Sequence, residues 1–337
     1  IACLGVFALG VAIEGYLEAP VPWYGRAGLA AAGVGVALLA GQAGALHPLL
    51  DGLGHLRAHF AVGAVALAGL AGAARAPRLA AAAALVSLFG MLTMALTPPH
   101  ATGSAAPAAL RLMTFNTLHR TDNVDEAERL LRSTAPDIVV WQEYQYLDQA
   151  LGPRILDLYP HQIACDRTKN CGVALFSQKP WAEAGIGKPE ATGRVSTVWA
   201  RFEPRDGPAF TVMGVHPRKP DRHGRQRQDY DILKAQAQTF GGRGEPLIVA
   251  GDFNATPWSY VMRDFSRATG LRWTRHFAPT YSAKSPSLFQ IDHIMTSDAV
   301  HVRSITRKPA SGSDHYPLLA ELVLTGEAPS STPQAGP

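Results

Sequence analysis

Charge is scarce in the first third of this chain. The 337 residues include 31 Lys and Arg and 27 Asp and Glu, yet residues 1–107 hold only seven of them: Glu14, Glu18, Arg26, Asp51, Arg57, Arg75 and Arg78. A soluble chain carries roughly a quarter charged residues along its whole length, so one uniform globular domain is excluded. Cysteine is also scarce. Three residues, Cys3, Cys165 and Cys171, are too few for a disulfide-stapled framework. With 47% hydrophobic residues the chain is not a disordered one, and its net charge of +4 is too mild to name a partner.

In place of charge, the first third has long apolar runs. Residues 27–46 are free of charge for twenty positions, 58–74 for seventeen and 79–97 for nineteen. A helix of about 20 apolar residues crosses the hydrocarbon of a bilayer. The runs therefore predict a transmembrane region over 1–97, with helices at about 27–46, 58–74 and 79–97. A candidate fourth lies at 1–18, interrupted by Glu14. Gly and Ala fill these runs, which suits close helix packing in lipid. Arg26 precedes the first long run, and Arg75 and Arg78 separate the last two. The positive-inside rule puts both places in the cytoplasm, the loop 47–57 outside, and everything beyond about residue 97 outside as well.

Residues 98–109 read as a Pro/Ala/Ser linker and 326–337 as a disordered tail. Between them, 110–325 alternates short apolar runs with turn residues. Strands are expected at 110–115, 138–142, 172–177, 195–202, 210–215, 247–250, 291–296 and 317–324. Helices are expected at about 123–133, capped by Asp122 and stopped by Pro136, and at 224–239. Strands outnumber helices without strict alternation, which predicts an α+β fold of packed sheets flanked by helices.

The polar residues of this part gather at strand ends. Asn116 follows the first strand, Glu143 the second, and His216 follows VMGV. Asp252 and Asn254 follow LIVA in GDFN, and Asp314 and His315 precede the last strand in SDH. Asp292 alone sits in an apolar strand, with His293 on that strand's other face. A strand end fixes a side chain on a rigid element and leaves it open to water. Singly, each of these residues has an ordinary structural explanation, such as an Asx turn or a solvated terminus. Together they form an oxygen-rich set with two imidazoles and no cysteine pair. Such a set favours a hard cation, Mg²⁺ or Mn²⁺, and phosphoryl chemistry.

In order, TFN, WQE, GVHP, GDFN, IDHI and SDH resemble the endonuclease/exonuclease/phosphatase superfamily over about residues 110–325. The resemblance implies a four-layer αββα sandwich, here preceded by an all-α transmembrane region. It implies that Glu143, with Asn116 and Asp314, binds the metal. Asp252 would position or activate water, Asn254 would hold a phosphate oxygen, and His315, oriented by Asp292, would be the general acid/base. His216 resembles the second histidine of the deoxyribonuclease and sphingomyelinase branches. The chain is also similar to bacterial membrane-bound members, which implies a multi-pass protein of the inner, or cytoplasmic, membrane. Its catalytic domain would face the periplasm or exterior.

The substrate implied is a phosphate ester or pyrophosphate, with a lipid-linked one preferred. An extracytoplasmic nuclease acting on nucleic acid is the alternative, and an inactive binding or signalling module a second. No protein partner is expected. After His216 comes PRKPDRHGRQRQ, 217–228, in which Arg218 and Arg225 are candidate phosphate contacts. This segment could hold a second phosphate, a lipid headgroup, a nucleic-acid backbone, or only water. Cys165 and Cys171 could pair if the domain is outside the cytoplasm, or remain free thiols.

Overall fold

A computed structural model describes residues 23–95, 110–118, 124–144, 148–165, 172–187, 196–273, 278–283 and 287–325. The candidate span at 1–18, the linker 98–109, the tail 326–337, Asp122, Cys3 and Cys171 lie outside the described residues. The chain forms two compact units, Ile1–Thr97 with Trp258–Tyr260, and Pro98–Pro257 with Val261–Pro337.

The first unit is helical: α1 (Trp23–Ala40), a 3-10 turn (Gly41–Ala43), α2 (Pro48–His55), α3 (Arg57–Ala73) and α4 (Pro77–Ala95). The expected loop 47–57 is mostly helix. Pro48 at the first helical position and His47, whose Nδ1 accepts from the Leu49 N–H at 3.1 Å, start α2. It meets α3 at a bend of 54°. Arg26–Ala43 and Pro77–Ala95 are each long and apolar enough to cross a membrane, and α2 with α3 makes a third if the bent pair is one span. Small residues fill the contacts between helices, as at Gly90, where an added Cβ would lie 3.1 Å from the Ala61 methyl. Val34, Leu38, Phe60 and Ala64 form a buried cluster between the helices, while Val36, Leu39, Val62, Leu70, Leu85 and Leu88 are exposed.

The second unit is a pair of six-stranded sheets. Its strands are β1 (Leu110–Asn116), β2 (Ile138–Gln142), β3 (His161–Ala164), β4 (Val173–Ser177), β5 (Glu183–Ile186), β6 (Ser196–Phe202), β7 (Phe210–His216), β8 (Leu247–Asp252), β9 (Arg272–Trp273), β10 (Asp292–Thr296), β11 (Val300–Arg307) and β12 (Leu318–Leu324). One sheet runs β11-β12-β1-β2-β4-β3, the other β5-β6-β7-β8-β10-β9. The helices are α5 (Val124–Thr134), the short α6 (Asp148–Leu151), α7 (Arg225–Gly241) and α8 (Tyr260–Thr269).

Side chains alternate across each strand, so the central strands are buried on both faces. Leu112, Val140 and Leu175 enter the inter-sheet core with Val198, Val212, Ile248 and Ile294. Met113, Val139, Trp141 and Phe176 point the other way and are covered by Val124, Ala127, Leu130 and Leu131 of α5. On the second sheet, α7 packs on β7 and β8 and buries Tyr230, Leu233, Ala237 and Phe240. The result is the four-layer αββα sandwich, with every expected strand and helix present within a residue or two. Asp292 differs slightly from expectation, as the first residue of β10 rather than an interior one.

Two glycines set how closely the backbone packs. At Gly214, on β7, an added Cβ would stand 2.8 Å from a Val140 methyl of the opposite sheet. At Gly251, one residue before Asp252, φ is +154° and an added Cβ would stand 2.0 Å from the Val215 carbonyl oxygen. No side chain fits there without separating β7 from β8. Gly251→Ala is therefore expected to destabilise the domain by about 3 kcal/mol or more, as a lower unfolding midpoint in denaturant. An unshifted midpoint would contradict this packing.

Candidate active site

Strands β1 and β2 are parallel neighbours, with Asn116 beside Gln142, and β7 and β8 are parallel neighbours in the other sheet, with Val215 beside Gly251. Parallel neighbours end at the same sheet edge. Asn116, Glu143, His216 and Asp252 therefore leave the two sheets together. Asn116 Nδ2 donates to Asp252 Oδ2 at 3.0 Å, across the sandwich, and lies 3.4 Å from Glu143 Oε1. Its Oδ1 accepts from the Leu118 N–H at 3.1 Å. Glu143 holds its backbone at φ +57° and Asn254 at φ +48°. Asparagine tolerates this left-handed region, but for glutamate it costs about 1–2 kcal/mol. The strain turns the chain sharply at the end of β2.

Asp292 stands directly opposite Asp252 in the antiparallel pairing of β10 with β8, and both are buried. His315 lies between them. Its Nδ1 is 2.9 Å from Asp292 Oδ2, and its Nε2 is 3.8 Å from Asp252 Oδ2 and 4.0 Å from Asp314 Oδ1. His216 Nε2 lies 3.6 Å from the same Asp252 oxygen. Asp252 Oδ1 accepts from the Asn254 N–H at 2.8 Å, and Asn254 Nδ2 donates to the Pro217 carbonyl at 2.9 Å. That leaves Asn254 a second amide hydrogen.

Burial alone would push the Asp252 carboxyl up, but the His216 and His315 imidazoles and the Asn254 N–H outweigh it and hold it below the usual carboxylate range. Burial alone would pull His315 down. The Asp292 carboxylate in contact with Nδ1, with Asp252 and Asp314 nearby, outweighs it and holds the imidazole up at about 9. The donor atoms of Asp252, Asp292 and His315 all lie within 4.8 Å of one another, close enough to bracket an ion. His315 already bridges that trio by its hydrogen bond to Asp292, so the trio is arranged around a proton.

The remaining oxygen donors have the chemistry of ligands to a hard divalent cation. Asp314 Oδ1 is buried and, among the described residues, has no hydrogen-bond partner. A buried carboxylate oxygen left so is expensive unless a cation satisfies it. With Glu143 and the Asn116 amide, it gives an oxygen-rich donor set suited to Mg²⁺ or Mn²⁺.

Other candidates sit elsewhere. The Arg218 N–H and Nε each donate to Asp229 Oδ2 at 2.9 Å, and Asp229 is fully buried. Arg218 thus braces its loop against α7. Arg225 is exposed, with Nε 3.5 Å from Asp221. Cys165 is disulfide-bonded, while Cys171 is outside the described residues. His293, on the opposite face from Asp292, places Nε2 2.8 Å from the Ala255 carbonyl, and burial lowers it to about 4.

Two supporting residues escape sequence reasoning. Ser313 Oγ donates to the Asn116 carbonyl at 2.7 Å and accepts from the His315 N–H at 3.0 Å. Thr280 Oγ1 accepts from the Ile291 and Asp292 N–H groups, both at 3.1 Å. Ser313, two residues before the histidine in SDH, is a short-range turn signal that could have been read. Thr280 has no such signal.

A model of the Endonuclease/Exonuclease/phosphatase family matches residues 113–315, most of the second unit. The chain belongs to this family. Members of the endonuclease/exonuclease/phosphatase family are metal-dependent phosphoesterases, and this chain is an enzyme of that class. No curated protein sequence matches it. Its fold is similar to that of the human Nocturnin catalytic domain, with a TM-score of 0.56 and 20% identity over 66% of this chain and 100% of that one. A Bacteroides thetaiotaomicron mannosyl-6-phosphatase gives a TM-score of 0.52 and 18% identity over 64% and 100%. A family member from Beutenbergia cavernae gives 0.52 and 20% over 66% and 73%.

The His315–Asp292 pair ties stability to pH. An imidazole held up at about 9, from an ordinary 6.5, adds stability that is complete below about 6.5 and lost as pH rises through about 9. In EDTA-treated protein the unfolding temperature is expected to fall across that window, and Asp292→Asn to flatten the fall. An equally steep fall in the variant would show that the pair does not carry it.

Proposed function

We propose that this chain is a membrane-anchored, extracytoplasmic phosphohydrolase whose substrate is a lipid-linked phosphate ester or pyrophosphate. The observation that carries the chemistry is the Asp292–His315 pair set beside a second buried carboxylate, Asp252.

A Mg²⁺ or Mn²⁺ ion, held by Glu143 and Asp314 with Asn116 beside them, would supply positive charge to offset the charge gathering on the phosphoryl oxygens. The chain's own residues do the rest. Asp252, kept ionised, takes a proton from water as the water oxygen bonds to phosphorus. The bond from phosphorus to the leaving oxygen breaks, and its electron pair goes to that oxygen. His315, protonated and held by Asp292, gives the leaving oxygen a proton from Nε2. Asn254 directs its remaining amide hydrogen at a non-bridging oxygen, and His216 keeps Asp252 charged. The net result is one water consumed, the ester split into a phosphate and an alcohol or the pyrophosphate into two phosphates, and both catalytic groups restored once the proton on Asp252 returns to His315.

Three features support the location. Apolar helices α1 and α4 carry exposed leucine and valine along their lengths. Arg26, and Arg75 with Arg78, mark the cytoplasmic ends under the positive-inside rule, which sends α4 outward. Cys165 is in a disulfide, a bond at home in oxidising compartments.

The test offers a lipid diphosphate and plasmid DNA in parallel to the full chain in detergent with Mg²⁺. Phosphate release that EDTA abolishes and Mg²⁺ restores is expected. Glu143→Ala, with folding intact, and His315→Ala, at a lower unfolding temperature but assayed below it, should each lower it by about 10²-fold or more. Undiminished activity in both variants would refute the site, and DNA nicking without phosphate release would replace the lipid substrate with nucleic acid. Separately, a reporter that matures only under oxidising conditions, fused after Pro337, should be active. A silent fusion beside an active cytoplasmic reporter would reverse the topology.

A further inference from the structure

The basic segment after β7 does not present its cations equally. Pro217 is fixed by the Asn254 amide at 2.9 Å, and Arg218 by its backbone and side-chain bonds to buried Asp229. Two anchors on consecutive residues hold the backbone where Lys219 begins. Pro220 then restricts Lys219 to an extended conformation. The Lys219 ammonium stands 5.9 Å from the centre of the Tyr281 ring, and that ring stands 4.9 Å from the His315 imidazole. Tyr281 is itself fastened, by its N–H to the Phe289 carbonyl at 3.1 Å and by a β-bridge to His315. Lys219 is exposed, and among the described residues no carboxylate pairs with it.

Arg218 is consumed by Asp229 and Arg225 leans on Asp221, whereas Lys219 is held only by an aromatic face. At an exposed position that contact is worth about 0.5–1 kcal/mol. It parks the ammonium near the reacting imidazole yet yields to a stronger partner. A compact ammonium on a flexible stem suits a phosphate whose charge rises during reaction.

We propose that Lys219, parked on Tyr281, forms a subsite for the second phosphate of a phosphoanhydride substrate. This rests on the phosphohydrolase reading above and specifies its substrate class. Water bonds to the terminal phosphorus and the anhydride P–O bond breaks. The electron pair stays on the bridging oxygen of the departing monophosphate, and Lys219 offsets the added charge.

The test uses the full chain in detergent with Mg²⁺, and compares kcat/KM for an isoprenyl diphosphate, a nucleoside diphosphate and an isoprenyl monophosphate. Lys219→Met keeps the stem and removes the charge; Lys219→Arg keeps a charge. In Lys219→Met the ratio of diphosphate to monophosphate kcat/KM is expected to fall about tenfold, the loss of one charge-assisted contact. Lys219→Arg should recover part of it. A fall with both diphosphates assigns the subsite to the anhydride itself, and a fall with the isoprenyl one alone assigns it to a lipid carrier. An unchanged ratio, or equal loss on all three substrates, overturns the subsite. Wild-type turnover of the monophosphate but neither diphosphate also overturns it and leaves the phosphohydrolase reading standing. Turnover of none overturns both.

Discussion

Two buried carboxylates face each other across β8 and β10, and a single imidazole makes that arrangement tolerable. Asp252 and Asp292 are register partners, and like charges directly opposite on neighbouring strands repel. Burial strengthens the repulsion by lowering the local dielectric. His315 lies between the two, bonded to one and within 4 Å of the other. Its positive charge is therefore a structural requirement before it is a chemical one. Around it, Ser313 fixes the His315 backbone, Thr280 fixes Asp292, and Asn254 and His216 fix Asp252. The neighbouring residues are arranged so that this one charge stays in place.

The sandwich architecture follows the same logic at a larger scale. Each sheet contributes one parallel strand pair, and a parallel pair delivers two side chains to one edge. Because the two sheets pack through alternating side chains, their edges meet, and Asn116 can reach Asp252. Gly214 permits the close approach of the sheets, where a side chain would meet Val140 of the opposite sheet, and Gly251 permits the close approach of β7 to β8.

What the sequence disclosed follows burial. The eight strands read in advance are the inner ones, whose apolar runs are buried on both faces. The four that escaped, β3, β5, β9 and β11, are the four sheet edges. Edge strands are short or polar by necessity, since an apolar edge invites pairing with other chains. VHVRSITR and EAGI carry little apolar signal, and β9 has two residues. The candidate site residues were legible because polar side chains at the ends of apolar strands stand out. Arg218 and Lys219 were not distinguishable, since only the fold reveals which of two adjacent cations meets buried Asp229. Helix α2 was hidden for a different reason: the loop it replaces looks like a break because Pro48 begins it.

The bond between Ser313 and the Asn116 carbonyl spans 197 residues of chain. Contacts so distant in sequence form late, because the intervening loop must first be closed. Asn116 leaves the ribosome early in the domain and waits for Ser313, near its end. No partial chain, however long, holds His315 in position before that serine arrives.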